Sequence, residues 1–378
     1  MQPRDLSDHV AYRPGRGVEE TARELGRDPA TFLTLASNEN PLGPSPAATT
    51  AIRETATTVN TYPKAAHTDL TAVIADRWEV DPAQIWLANG GDGAIDYLSR
   101  ALLRPGETVL VPTPGFAYYG MSARFHHGQV REYPLTRSNG FHQVPSRVLE
   151  VADGVRMVYL TSPHNPTGST CSLSAIREIA AETGPETLVV VDEAYGEFAE
   201  TESAIAVLSG RDGGEPRDDV AVVRTFSKAY GLAGVRLGYA VVPDAWAAAY
   251  ERVSTPFAVS EIACRAGLAA LEDDEHVTCS VEVARESRAY MREHVDARTW
   301  PSEGNFVLVD VGDGRAVAAA MCEAGVIVRD CTSFGLPFCI RITCAPPAET
   351  ERAVEALNEV LATRADDGHD TGEEVSGS

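Results

Sequence analysis

The sequence predicts an α/β protein: a large unit with a mostly parallel sheet, then a smaller α+β unit. Three observations carry this. Short β-branched runs, apolar without alternation, recur along the first two thirds of the chain. Such runs are strands buried on both faces, as in a parallel sheet. Helical patterns separate them. Past Thr255-Pro256 the texture changes to long helix and then to more widely spaced strands.

In chain order, Val18–Leu25 reads as a helix, followed by the loop ASNENPLGP at 36–44, whose prolines and glycines exclude regular structure. Strands are expected at 85–88, 108–112, 157–160, 187–191, 220–224 and 238–242. Helices at 94–103 and 173–183 lie between them. Residues 261–293 read as long helix interrupted near Asp273-Asp274. Strands at 305–311, 326–329 and 339–344 then surround a helix at 315–324. The last residues, from 365, are polar and acidic, the composition of a disordered tail.

Composition bounds the function. The chain has 378 residues, enough for two packed units. It has no apolar run of about eighteen residues, so no membrane span is expected. Residues 1–10, MQPRDLSDHV, lack the basic and apolar regions of a signal peptide, and a cytoplasmic address is expected. The seven cysteines include no C-x-x-C pair and read as reduced thiols, with no metal site. Acidic residues outnumber basic ones 55 to 32, for a net charge of −23, which repels nucleic acid and anionic membranes. The acids are spread along the chain, as suits a high-salt cytoplasm with strong screening. Only two lysines occur, Lys64 and Lys228.

Candidate chemistry sits at three consecutive strand ends, where α/β proteins bind ligands. The first is followed by SPHNPTG, with Asn165. The second ends in Asp192, with Tyr195 close behind. The third ends in Thr225, Ser227 and Lys228, with Arg236 after two glycines. Taken singly, each has a plainer reading: a turn, a solvated strand end or a metal ligand, a surface ion pair. Together they suit pyridoxal 5'-phosphate (PLP). That cofactor needs an amine for an imine with its aldehyde, which Lys228 supplies. It needs a carboxylate to keep its ring nitrogen protonated, which Asp192 supplies. Tyr195 and Asn165 can donate to the phenolate oxygen, and Thr225, Ser227 and Arg236 can hold the phosphate. A glycine cluster, Gly90-Gly91-Asp92-Gly93, opens a helix after the 85–88 strand and offers bare N–H groups to the same phosphate. Lys64, in a Tyr-Pro-Lys loop, lacks such a setting.

The segments SNENPLGPSP, YPKA, SPHNPTG, VVDEAYGEF, RTFSKAYGLAGVRLGYA, GNFVLV, GVIVRD and LPFCIRIT resemble the histidinol-phosphate aminotransferases, of the aspartate aminotransferase superfamily. The resemblance runs from about Tyr12 to about Leu361. It implies PLP fold type I. It also implies a domain plan of 1–40 as N-terminal arm and part of the small domain, 41–255 as large PLP-binding domain, 256–364 as small C-terminal domain and 365–378 as tail. A homodimer with shared active sites follows from it. At matching positions, Phe116 would stack on the cofactor ring, and Gly91 and Asp92 would belong to its phosphate cup. Tyr62 would reach the phosphate from the partner subunit. Tyr12, Asn40, Asn165, Arg329 and Arg341 would contact substrate, the arginines as oxyanion clamps. The chain departs from the family at Gly90-Gly91-Asp92-Gly93 and after Arg341, where Ile342-Thr343-Cys344-Ala345 replaces the usual glycine and threonine.

The expected reaction is transamination between L-histidinol phosphate and 2-oxoglutarate, with Lys228, Asp192 and Tyr195 as catalytic residues. Two alternatives remain. The segment TPGFAYYG at 113–120 is similar to threonine-phosphate decarboxylases, and an aromatic amino-acid aminotransferase would share the same cofactor residues.

Overall fold

A computed structural model of the protein describes Leu6, Ser7, His9, residues 17–64 and residues 67–370, with side chains to residue 364. The strands are β1 (Leu33–Leu35), β2 (Ile85–Asn89), β3 (Thr108–Thr113), β4 (Gln129–Pro134), β5 (Val155–Thr161), β6 (Leu188–Asp192), β7 (Val220–Thr225), β8 (Leu237–Val241), β9 (Arg298–Thr299), β10 (Phe306–Asp310), β11 (Val326–Asp330) and β12 (Cys339–Thr343).

Seven strands form one sheet in the order β2-β8-β7-β6-β5-β3-β4. Neighbours among β3, β4, β5, β6 and β7 are parallel, while β8 runs antiparallel to both β7 and β2. The sheet is buried on both sides. Val158, Leu160, Val189, Val191, Val220 and Val222 join one core cluster; Met157, Tyr159, Val190, Ala221 and Val223 join the other. Each valine, leucine or methionine among them contributes about 1.5–3 kcal/mol on leaving water. This two-sided burial is why the strands read as unbroken apolar runs. The edge strand β4, QVREYP, is largely exposed and carries no such run.

The second sheet has the order β1-β11-β12-β10-β9. Only β1 and β11 pair in parallel; the remaining pairs are antiparallel. The helices Asp274–His294 and Pro347–Asp370 pack together beside it, around Met291, Phe306, Ile340, Val354 and Leu357. β1 ties the N-terminal segment to this sheet.

Two expectations on chain organisation need correction. The large unit does not end at residue 255. The helix Glu261–Leu271 packs on the helix Pro46–Thr55, and its Ala263, Cys264, Ala266 and Ala270 lie in the core of the seven-stranded sheet. Its small residues allow that close approach. The acidic tail does not begin at 365, because the last helix continues to Asp370. A helix already anchored by Leu357 extends at little cost per residue.

Candidate active site

Parallel β5, β6 and β7 end at the same edge, with Thr161 paired to Asp192 and Asp192 to Val223. A cavity of about 260 Å³ lies there. Asn165, Asp192, Tyr195, Thr225, Ser227, Lys228 and Arg236 line it, as do Gly91, Asp92 and Phe116. β11 and β12 of the second sheet add Arg329 and Arg341 from the opposite side. The cavity therefore sits between the two sheets.

Lys228 follows the end of β7. Its Nζ donates to the Ser37 carbonyl at 3.3 Å and lies 5.7 Å from the Tyr195 ring centre. Burial, then the charge of Arg341, pushes its ammonium down to about 8, against the opposing pull of Glu39 and Asp92. Asp192 is buried. It accepts from Tyr119 Oη at 2.6 Å and from the Ala194 amide at 2.9 Å. Burial nevertheless pushes its carboxyl up to about 6. A cation in the cavity would offset that cost.

Tyr195 accepts from Asn38 Nδ2 at 3.0 Å, which leaves its own proton for the cavity. Asn165 Oδ1 accepts from Arg341 Nη1 at 2.5 Å, leaving the amide Nδ2 as donor. At the other end, Thr225 Oγ1 donates to Ser227 Oγ at 2.9 Å, and Arg236 reaches Ser227 at 3.5 Å and Asp92 at 3.2 Å. Gly90, which opens the helix Gly90–Leu102, has φ +76, and a Cβ there would stand 2.5 Å from Arg236 Nη2. Only glycine lets the guanidinium close on the helix N-terminus. Arg236 and Asn38, both lining the cavity, take left-handed backbone, φ 58 and 52.

These residues fit PLP. The cavity holds one amine, a buried carboxylate, two donors between them, and an anion cup of hydroxyls, guanidinium and helix N-terminus. Phe116, edge-on to Tyr119 with ring centres 5.5 Å apart, borders the same space.

Two expected residues stand elsewhere. Asn40 does not line the cavity. Its Nδ2 donates to the Ala229 carbonyl and Ser280 Oγ, both at 2.8 Å, and its Oδ1 accepts from the Leu42 amide, so its side chain holds the loop in place. Tyr62 is 82% exposed, stacked on Phe257, and outside this chain's own cavity. Tyr12 lies outside the described residues.

The sequence reading missed Tyr119 and Asn38. Each acts by buttressing an expected residue across many positions of chain. The repeated Tyr118-Tyr119 after Phe116 was the available signal. On the other side of the strand ends lies a second cavity of about 270 Å³, lined by Glu193, Glu197 and Arg224 among others. There Arg224 donates to Glu193 at 2.6 Å and to Glu197 at 2.7 Å, with its guanidinium carbon 4.6 Å from the Trp78 ring centre.

Residues 30–357 match the family of class I and II aminotransferases. The chain is 65% identical to a histidinol-phosphate aminotransferase of Natronomonas pharaonis, over 96% of this chain and all of that one. It is 61% identical to a histidinol-phosphate aminotransferase of Halobacterium salinarum, with the same coverage. It is also similar to the crystal structure of histidinol-phosphate aminotransferase from Sinorhizobium meliloti in complex with pyridoxal-5'-phosphate. That match has a TM-score of 0.82 at 28% identity and covers 96% of this chain and 98% of that one.

Proposed function

The chain belongs to the class I and II aminotransferases, and from that premise we infer that it transfers the amino group of L-histidinol phosphate to 2-oxoglutarate, giving imidazole-acetol phosphate and L-glutamate. The observation that carries this reading is the meeting of Lys228 and Asp192 with the pair Arg329 and Arg341 around one cavity.

PLP, when bound, supplies an aldehyde for amines and a ring that accepts electrons. On our reading Asp192 holds a proton on the ring nitrogen, the role for which its buried carboxylate is suited. Lys228 Nζ would take the proton from the substrate's amine-bearing carbon and return it on the far side of the bonded nitrogen, at the carbon that was the cofactor's aldehyde. An ammonium lowered to about 8 is partly neutral near pH 7–8, as a general base must be. Tyr195 and Asn165 orient the cofactor through its ring oxygen. Thr225, Ser227, Arg236 and the amides at Gly91 and Asp92 grip its phosphate. Arg329 and Arg341 bind the substrate's anionic group.

We read the protein as a homodimer. Tyr62, Val59, Phe257 and Leu42 are large apolar side chains left exposed, Tyr62 and Val59 by 82% and 63%. A second copy would cover them and bring Tyr62 of the partner subunit to the cofactor phosphate. Mixing Lys228→Ala and Tyr62→Ala subunits tests this. The mixed dimer regains one intact site, so activity should return; its absence would rule out a shared site.

The free cysteines suit a reducing cytoplasm, and the acid surplus and haloarchaeal relatives suit one rich in salt. Holoenzyme given L-histidinol phosphate and 2-oxoglutarate should form L-glutamate. Carbon dioxide release from threonine phosphate without that activity would overturn the substrate assignment in favour of a decarboxylase.

A further inference from the structure

We propose that Phe334 is a positioning residue that holds Arg329 and Arg341 as one clamp for a phosphate-monoester dianion; the proposal rests on the substrate reading above. The two arginines stand directly opposite each other in the register of antiparallel β11 and β12. Like charges facing each other across such a pair repel. Something must offset that repulsion and fix where the two side chains point.

Arg341 is held on its own side by Asn165, by the Ala36 carbonyl at 2.7 Å and by the Phe306 ring, whose centre lies 5.4 Å from its guanidinium carbon; the ring that both arginines share is Phe334. The guanidinium carbon of Arg329 lies 5.4 Å from the Phe334 ring centre, and that of Arg341 lies 5.7 Å from the same centre. Both are within the roughly 6 Å over which a cation is attracted to an aromatic face. Phe334 itself lines the cavity beside both arginines. A hydrogen bond also ties Arg329 Nη2 to Ser333 Oγ, the residue before the ring, at 3.2 Å.

The ring is held by its own turn, Thr332–Phe334. Asp330 Oδ1 accepts from the Thr332 amide at 2.8 Å and from its hydroxyl at 2.6 Å. The Phe334 amide donates to the Cys331 carbonyl at 3.0 Å, and Gly335, with φ 86, closes the turn. The turn follows Asp330 after one residue, Cys331, so the ring is carried on the continuation of the strand that bears Arg329.

Two adjacent guanidiniums on one face suit a ligand with two negative charges. A phosphate monoester offers both charges on one group and can accept from both forks. A carboxylate offers one charge and gains less from having the pair held together. The ring therefore favours the phosphorylated amine over the dicarboxylate that shares the site.

The test uses PLP-loaded Phe334→Ala, Phe334→Leu and Phe334→Tyr proteins at one fixed salt concentration. The readouts are kcat and KM for L-histidinol phosphate and for 2-oxoglutarate, and the inhibition constant of inorganic phosphate against L-glutamate. Ala and Leu should raise the histidinol-phosphate KM and the phosphate inhibition constant together, by about tenfold. In both, kcat and the 2-oxoglutarate KM should change less than about threefold. Tyr should restore wild-type values. Wild-type constants in the Leu variant would overturn the proposal, because any apolar filler would then serve. A fall in kcat at unchanged KM would overturn it too. If the Ala protein does not fold, the Leu and Tyr proteins decide. If the wild-type enzyme does not use histidinol phosphate, the substrate reading fails, and the phosphate inhibition constants still decide the role of Phe334.

Discussion

The hydroxyl of Tyr119 donates to Asp192 at 2.6 Å, from a side chain that is itself 1% exposed and stacked on Tyr159. This bond stabilises the carboxylate form that the buried site otherwise disfavours. Tyr119→Phe should therefore raise the Asp192 pKa further. A hydrogen bond to a charged group contributes about 1.5–3 kcal/mol, so kcat should fall roughly tenfold or more. The acid limb of PLP binding, followed by absorbance, should also move to higher pH. An unchanged acid limb would show that Tyr119 only packs.

Asp192 also makes a prediction about stability. Its folded-state pKa, about 6, lies above the ordinary 3.8. The resulting stabilisation is present below 3.8 and is lost as pH rises through about 6. Cofactor-free Asp192→Asn protein should therefore melt higher than wild type at pH 7–8. The gap should close as pH falls from about 6 toward 4. The same variant should bind PLP weakly. Thermal melts across pH, with and without PLP, check both statements.

With only two lysines, each side-chain amine can be followed in its own peptide, apart from the α-amino group, which titrates in the same range. In cofactor-free protein, trinitrobenzenesulfonate labelling of the peptide that carries Lys228 should show a component with a midpoint near pH 8. Lys228→Ala should remove that component and reduce turnover by at least about 10²–10⁴-fold. Arg341→Met should shift the midpoint upward, because the arginine's charge contributes to holding it down.

The buried group Glu193, Arg224 and Glu197 lies next in chain to Asp192 and Thr225, and the Arg224 and Glu193 side chains are 4% and 5% exposed. Arg224→Ala leaves two carboxylates buried without their cation, at a cost of about 3–5 kcal/mol. The loss should persist in high salt, because buried pairs are poorly screened. By contrast Arg147, paired with Glu150 at 3.2 Å and about two thirds exposed, should be replaceable without measurable effect. Urea denaturation at two salt concentrations separates the cases.

Much of the large sheet was legible because burial on both faces writes the strands as apolar runs, as in Leu188–Asp192. β4 and the three-residue β1 were not legible: one is an exposed edge, and the other is strand only through pairing with Val326–Val328. At the site, the residues on strand ends were readable because their chemistry stands beside a recognisable strand. Tyr119 was not, because its partner lies far along the chain and its own helix gives no sign of direction. Asn40 sat in a suggestive loop, but the fold spends its amide on Ala229 and Ser280. Phe334 acquires meaning only when the β11 and β12 register sets two arginines opposite each other.

The scarcity of lysine has a practical consequence. Arginine carries nearly all of the positive charge here, and guanidinium does not readily condense with aldehydes as a primary amine does. Stray carbonyl compounds thus meet few side chains that can trap them. Lys64, the other side-chain amine, is paired with Asp69 at 2.6 Å on the surface. Reductive trapping with a carbonyl probe should accordingly mark this protein at Lys228 against a single competing side chain, so occupancy of the cavity can be read by mass in an unfractionated mixture.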